Sequence, residues 1–176
     1  MRPAAALAGP VLLALGACAT VAPPPALQTS EGLSGRLTLR VEASPDAPAR
    51  SLSAAFDLLG SAAAGQLELS TPLGTMIARA RWNPASAELV TSQGATRHAD
   101  LASLTREMLG EIVPVQAMFD WLRGRPWPGA SSEAIPAAGF RQLGWRVDLS
   151  QLNESSVVAQ RETPPAVTVR VKLDRP

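Results

Sequence analysis

The chain has 176 residues, 46% of them hydrophobic and 18% charged, with a formal net charge of +1. That length and balance suit one globular domain with its own core and exclude a disordered chain. Near-neutral charge argues against nucleic-acid binding, a single Cys excludes an internal disulfide, and a single His leaves little for metal or acid–base chemistry.

Residues 1–17 read as a secretory signal peptide. Arg2 supplies the positive charge, and Leu7 to Leu15 supply a short apolar stretch broken by Gly9 and Pro10. The stretch falls short of the roughly 20 apolar residues that span a bilayer. It ends in Leu15-Gly16-Ala17-Cys18, which looks like a lipobox. Small residues let an extended chain enter a narrow protease site, and the Cys18 thiol is the best nucleophile present for accepting diacylglycerol. Cys18 is therefore expected to become the mature N-terminus, carrying covalent diacylglycerol and an N-acyl chain, with no other cofactor and no metal. Two or three acyl chains, at about 0.8 kcal/mol per buried methylene, make a lasting anchor. Loss of Arg2 with the leader leaves the mature chain neutral. Residues 18–32 form the lipidated start and a tether, in which Pro23-Pro24-Pro25 favours polyproline II at about 3.1 Å per residue.

Residues 33–176 are expected to form a single domain. Leu37, Leu39 and Val41 alternate with Arg36, Thr38 and Arg40, the period-two pattern of a half-buried strand. Residues 44–49 make a turn, after which Ala54, Phe56 and Leu58 alternate. Residues 60–65 break the chain before a strand through Leu67 and Leu69. Met76, Ala78, Ala80 and Trp82 then share one face, Asn83-Pro84 turns, and residues 88–91 make a short strand. The period next changes to 3.6. Leu101, Leu104, Met108 and Leu109 form a helical face with Asp100 as N-cap and Gly110 as terminator. A second helix follows Pro114, with Val115, Met118, Phe119 and Leu122 on one face and Gly124 and Pro126 beyond its end. Residues 125–139 read as an irregular connector. Leu143, Trp145, Val147 and Leu149 predict another strand, residues 155–160 a weaker one, and Val167, Val169, Val171 and Leu173 the clearest of all.

Strands, two helices and strands again, without βαβ alternation, predict a mainly β (α+β) fold. The sheet is expected to be antiparallel, with helices over one face. That face mixes Ala54, Ala78 and Ala80 with Phe56, Met76 and Trp145, and the helices add Met108, Met118, Phe119 and Leu122. Two arrangements fit: a tightly packed Ala-rich core, which composition alone favours, or a curved sheet enclosing an apolar cavity for acyl chains, with adaptable Met side chains in its wall.

Leu73 lies in Ser70-Thr71-Pro72-Leu73-Gly74-Thr75, where Pro72 and Gly74 predict a hairpin turn. An apolar residue at a hairpin tip is either an incidental exposed side chain or a finger that dips into a bilayer. Burial of that side chain would contribute roughly 1.5–3 kcal/mol.

These residues together resemble the LolB family of outer-membrane lipoproteins. The resemblance rests on the lipobox, Ser34-Gly35-Arg36-Leu37, Thr71-Pro72-Leu73-Gly74, the run Glu88-Leu89-Val90-Thr91-Ser92-Gln93-Gly94, the helix from Asp100, and Val113-Pro114-Val115 leading to Trp121-Leu122-Arg123-Gly124-Arg125-Pro126. The family implies an incomplete antiparallel β-barrel covered by helices around an apolar cavity. It implies a monomer, lipid-anchored in the outer membrane and facing the periplasm; Ala19 after Cys18 is similar to outer-membrane sorting signals. Its partners would be a LolA-like periplasmic carrier, lipoprotein acyl chains and outer-membrane phospholipid, with cargo released into the inner leaflet. Pro72, Leu73 and Gly74 match the family's protruding membrane-insertion loop.

Two other functions compete. An enzyme would have to use His98, near Asp100, but no G-x-S-x-G elbow is present and a solvated loop histidine is the expectation. No catalytic residue is therefore assigned. A structural lipoprotein that scaffolds an outer-membrane assembly would need an exposed apolar patch or a free strand edge, which sequence does not reveal.

Overall fold

A computed structural model describes residues 32–45 and 47–174. The signal peptide, Cys18 and the Pro-rich tether lie outside the described residues. The ordered chain runs β1 (Leu33–Val41), β2 (Arg50–Gly60), β3 (Gly65–Ser70), β4 (Met76–Asn83), β5 (Ser86–Thr91), β6 (Gly94–His98), α1 (Leu101–Leu109), α2 (Val115–Trp121), β7 (Ser132–Ala134), β8 (Gly139–Gln142), β9 (Trp145–Asp148), β10 (Ser156–Arg161) and β11 (Val167–Leu173). A turn of 3₁₀ helix, Leu152–Glu154, joins β9 to β10.

All the strands belong to one antiparallel sheet in the order β6-β5-β4-β3-β2-β1-β11-β10-β9-β8-β7. Pairing of β1 with β11 joins the two halves, with Leu37 opposite Val171 and Leu39 opposite Val169. The sheet is open, with β6 at one edge and β7 at the other. The helices lie in the connection between those two edge strands. The chain must cross from one edge of the sheet to the other there, and it does so over the apolar face.

Alternation decides which face that is. Leu39, Val41, Ala54, Phe56, Leu58, Leu67, Leu69, Ala78, Ala80 and Trp82 are buried, and the residues between them are less so. On the opposite face polar cross-strand pairs meet, such as Arg79 with Glu68 at 2.7 Å and Arg81 with Gln66 at 2.9 Å. Helix α2 packs aromatic edges onto the apolar face: Phe119 meets Trp82 at 6.0 Å, and Trp121 meets Phe140 at 6.3 Å and Trp145 at 6.4 Å between ring centres. Helix α1 begins as its sequence predicts. The Asp100 carboxylate accepts the Ser103 N–H at 2.7 Å, and Ser103 Oγ accepts the Asp100 N–H at 3.4 Å. The Ser103 N–H holds the Asp100 carboxyl below its ordinary pKa. Gly110 ends the helix at φ 76.

Three local expectations are corrected. The segment through His98, read as a turn, is strand β6; its residues are mostly exposed, so no alternation marks it. The connector 125–139 contains β7, three exposed residues with no apolar signal. Leu143 is not in a strand but in the turn between β8 and β9, at φ 53. Its apolar spacing with Trp145 and Val147 imitates strand periodicity.

The rest of that connector is fixed by one buried side chain. Gln142 Oε1 accepts Trp121 Nε1–H at 2.7 Å and the Trp127 N–H at 2.9 Å. Gln142 Nε2 donates to the carbonyls of Trp127 at 2.7 Å and Ala130 at 2.8 Å. Replacing Gln142 with Leu keeps the volume and strands these partners. We expect a loss of about 2–4 kcal/mol in urea unfolding, with the midpoint shifted and the slope unchanged.

Candidate acyl-chain cavity and apolar hairpin tip

A narrow apolar cavity of about 40 Å³ lies between the helices and the middle of the sheet. Its sheet wall is Leu37, Leu39, Phe56, Leu58, Leu67, Val169 and Val171. Its helix wall is Leu109, Val113, Val115, Met118 and Leu122. No polar side chain lines it. Such a surface can hold hydrocarbon through burial alone and offers no group for bond making.

Of the side chains expected to form this wall, Phe56, Met118 and Leu122 are on it. The other four are elsewhere. Phe119 is turned to the far side of α2, edge-on to Trp82. Trp145 sits against Trp121 with the Arg161 guanidinium 5.7 Å over its ring. Met108 is a partly buried neighbour of the core, and Met76 starts β4 beside the hairpin, half-buried. A helical face or strand face defines inward, but the cavity takes only the part nearest β1, β2 and β11. The missed wall residues had a signal, since Leu37, Leu39, Val169 and Val171 alternate cleanly, but alternation marks a face and not a gap.

The link between the helices is fastened to both halves of the sheet. Glu111 pairs with Arg50 of β2 at 3.0 Å and with Arg161 of β10 at 2.9 Å. Arg50 also donates to the Gly110 carbonyl, and Arg161 to the Pro165 carbonyl at 3.0 Å. The Arg161 pair is the more sheltered, at 19% and 16% side-chain exposure, and is the less screened of the two. This clamp holds Val113 over the cavity.

At one end of the sheet, β3 and β4 are joined by a tight turn. The Gly74 N–H donates to the Thr71 carbonyl at 2.9 Å, and the Thr75 N–H to Thr71 Oγ1 at 3.1 Å. Gly74 adopts φ 85, which a residue with a Cβ resists. Within this turn Leu73 is 95% exposed. Hydrogen bonds hold the turn while its one large side chain stands almost wholly in solvent.

Residues 32–174 match the family described as "Outer membrane lipoprotein LolB". The chain belongs to the LolB family. The outer-membrane lipoprotein LolB of Thiobacillus denitrificans is 34% identical over 146 residues, 78% of this chain and 77% of that protein. That of Bordetella pertussis is 31% identical over 182 aligned positions, 94% of this chain and 89% of the other. A match to LolB of Bordetella petrii, 34% identical over 122 residues, spans 63% of this chain and 61% of that relative. As a LolB-family member the protein is an outer-membrane lipoprotein concerned with lipoprotein localisation. The open antiparallel sheet with covering helices agrees with the fold that the family resemblance implied.

His98 is corrected as well. It is the last residue of β6, its side chain only 9% exposed, with Nε2 3.1 Å from Thr96 Oγ1 and 3.6 Å from Glu107 of α1. It pins helix to strand instead of standing in solvent, because α1 folds back over β6.

If the cavity takes hydrocarbon, filling it must abolish binding. Val169→Trp is expected to keep the fold at a cost of about 1–3 kcal/mol and to weaken a fluorescent fatty-acid probe by more than about tenfold. Titration of the probe alongside circular dichroism checks both.

Proposed function

We propose that this LolB-family protein is an outer-membrane lipoprotein receptor. It accepts lipoproteins from a LolA-like periplasmic carrier and places them in the inner leaflet. The observation that carries this reading is the pairing of an all-apolar cavity with a Leu73 side chain 95% exposed on a rigid turn. Cys18 is the lipid attachment point, and the Pro-rich segment after it spaces the domain from the bilayer.

Energetics require such a receptor. A triacylated cargo has roughly 45 methylenes, so bare passage through water would cost on the order of 35 kcal/mol. The chain carries no G-x-x-x-x-G-K-[ST] nucleotide loop. Transfer therefore runs downhill from carrier cavity to this cavity to bilayer. Capacity adds a constraint. A site needs roughly 10–15 Å³ of such space to hold one water, so the cavity of about 40 Å³ takes only a few waters' worth of hydrocarbon and falls well short of a single acyl chain. Cargo entry must then move α1 and α2 away from the sheet, with the Glu111 clamp opposing that motion. Leu73 subsequently brings the loaded mouth to the membrane, where burial of its side chain contributes roughly 1.5–3 kcal/mol, enough to orient but not to anchor.

Leu73→Glu is expected to accept cargo from the carrier at the normal rate and to fail at deposition. Carrier-to-receptor transfer, followed by separation of vesicles, reads the two steps apart. Normal deposition by this variant would reject the finger.

A further inference from the structure

A second hairpin shares the end of the sheet that carries Leu73. Neighbouring strands run antiparallel, so β3 and β8 both run toward that end while β4 and β9 both leave it. The β8–β9 connection is two residues, Leu143 and Gly144, at φ 53 and φ 76. Positive φ at both central positions is the type I′ geometry that Asn-Gly favours, because a side chain such as leucine's crowds the carbonyl that follows it. Leu143 is only partly covered and remains 46% exposed. An apolar side chain held in an unfavourable backbone region with about half its surface open to solvent points to a contact outside the chain.

The second residue pair up the hairpin says what that contact is. Arg141 and Arg146 are direct register partners. They lie on the outer face, because Phe140, Gln142, Trp145 and Val147 between them are buried inward. Like charges directly opposite one another destabilise an antiparallel pair. Neither arginine makes an ion pair among the described residues. Two acids are near in the sheet. Glu133 of β7 is the register partner of Arg141. Asp148 lies further along β9, and its carboxylate already accepts the Ser150 N–H at 2.8 Å. An apolar tip backed by two cations matches a phospholipid surface in depth order, with hydrocarbon at the tip and phosphate at the second residue pair behind it.

We propose that the β8–β9 hairpin is a second membrane-contact tip, in which Leu143 enters the acyl region and Arg141 and Arg146 meet lipid phosphates. This rests on the reading of Leu73 as a membrane finger and deepens it. One tip leaves the domain free to roll about its contact. The two hairpins are six inter-strand spacings apart in the sheet, roughly 29 Å along its curve. Contact at both sets the tilt of the domain and hence the direction in which the cavity mouth faces the bilayer.

The test uses the full lipidated chain in phosphatidylethanolamine–phosphatidylglycerol vesicles whose acyl chains carry bromine quenchers. Cys18 is the only native thiol and is consumed by lipid, so Leu143→Cys and Leu73→Cys can each be labelled with an environment-sensitive fluorophore. Both labels are expected to shift blue and to be quenched. Adding Arg141→Gln or Arg146→Gln to the Leu143→Cys protein is expected to weaken the membrane-bound signal roughly fivefold each. Quenching at Leu73 without quenching at Leu143 overturns this proposal alone. Absence of quenching at both overturns the finger as well. Leu143→Asn guards against a folding artefact, since asparagine suits the left-handed position. Its melting temperature is expected to hold or rise while deposition of carrier-delivered cargo slows severalfold. Deposition at the normal rate overturns the proposal, and so does slowed acceptance from the carrier with deposition intact, which would make the tip a carrier contact.

Discussion

Pairing of β1 with β11 is the contact on which the rest of this molecule depends. Without it, the strands β1 to β6 and the strands β7 to β11 would be separate, locally connected sheets. With it, Leu37 and Leu39 lie beside Val171 and Val169, and the cavity's sheet wall becomes continuous across the join. A slip of one residue in this register would turn the side chains of one strand to the opposite face from those of its partner. The cavity wall and the joining of the two halves thus rest on the same set of contacts.

That closure is incomplete, and the incompleteness is used. A sealed barrel has no edges and no way to admit a long chain laterally. Here the two edge strands stay apart and a helical segment crosses between them over the apolar face. The segment is tied down by polar contacts at two places: Glu111 in the link between the helices, held by two arginines, and Gln142 under the connector that follows α2. The side chains it turns to the cavity are apolar. Lifting this cover from the sheet would break the Glu111 ion pairs and otherwise part apolar surfaces.

Apolar side chains placed in water are normally a hazard to solubility. In this protein Leu73 and Leu143 sit singly on tight turns, far apart and backed by polar or charged neighbours. Separation keeps either from forming a contiguous sticky patch. Rigid turns keep them from folding back onto the domain. Under the proposed membrane contact, the same feature would let a small free energy at each tip act on orientation.

Much of this was legible in residue order. Period-two alternation located β1 to β4 and β11, the change to a 3.6 period located both helices, and Asp100, Gly110 and Pro114 marked their ends. Pro72 and Gly74 placed Leu73 on a hairpin tip, because turn geometry is local and those residues restrict φ. What remained hidden shares one physical cause. Alternation tells which face a side chain takes, and nothing about what lies across from it. Whether the apolar face closed into a solid core or left a space was decided by where α2 settles on the sheet. That packing turned Met118 and Leu122 to the space and Phe119 and Trp145 away from it. Edge strands β6 and β7 carry no apolar signal, because nothing covers both their faces, and Leu143 imitated a strand residue while its backbone turned. The sequence by itself determined the elements, their inward faces and the exposed tip. Only the tertiary structure decided the cavity, the clamp on its cover and which end of the sheet gathers both apolar tips, since each depends on contacts between residues far apart in the chain.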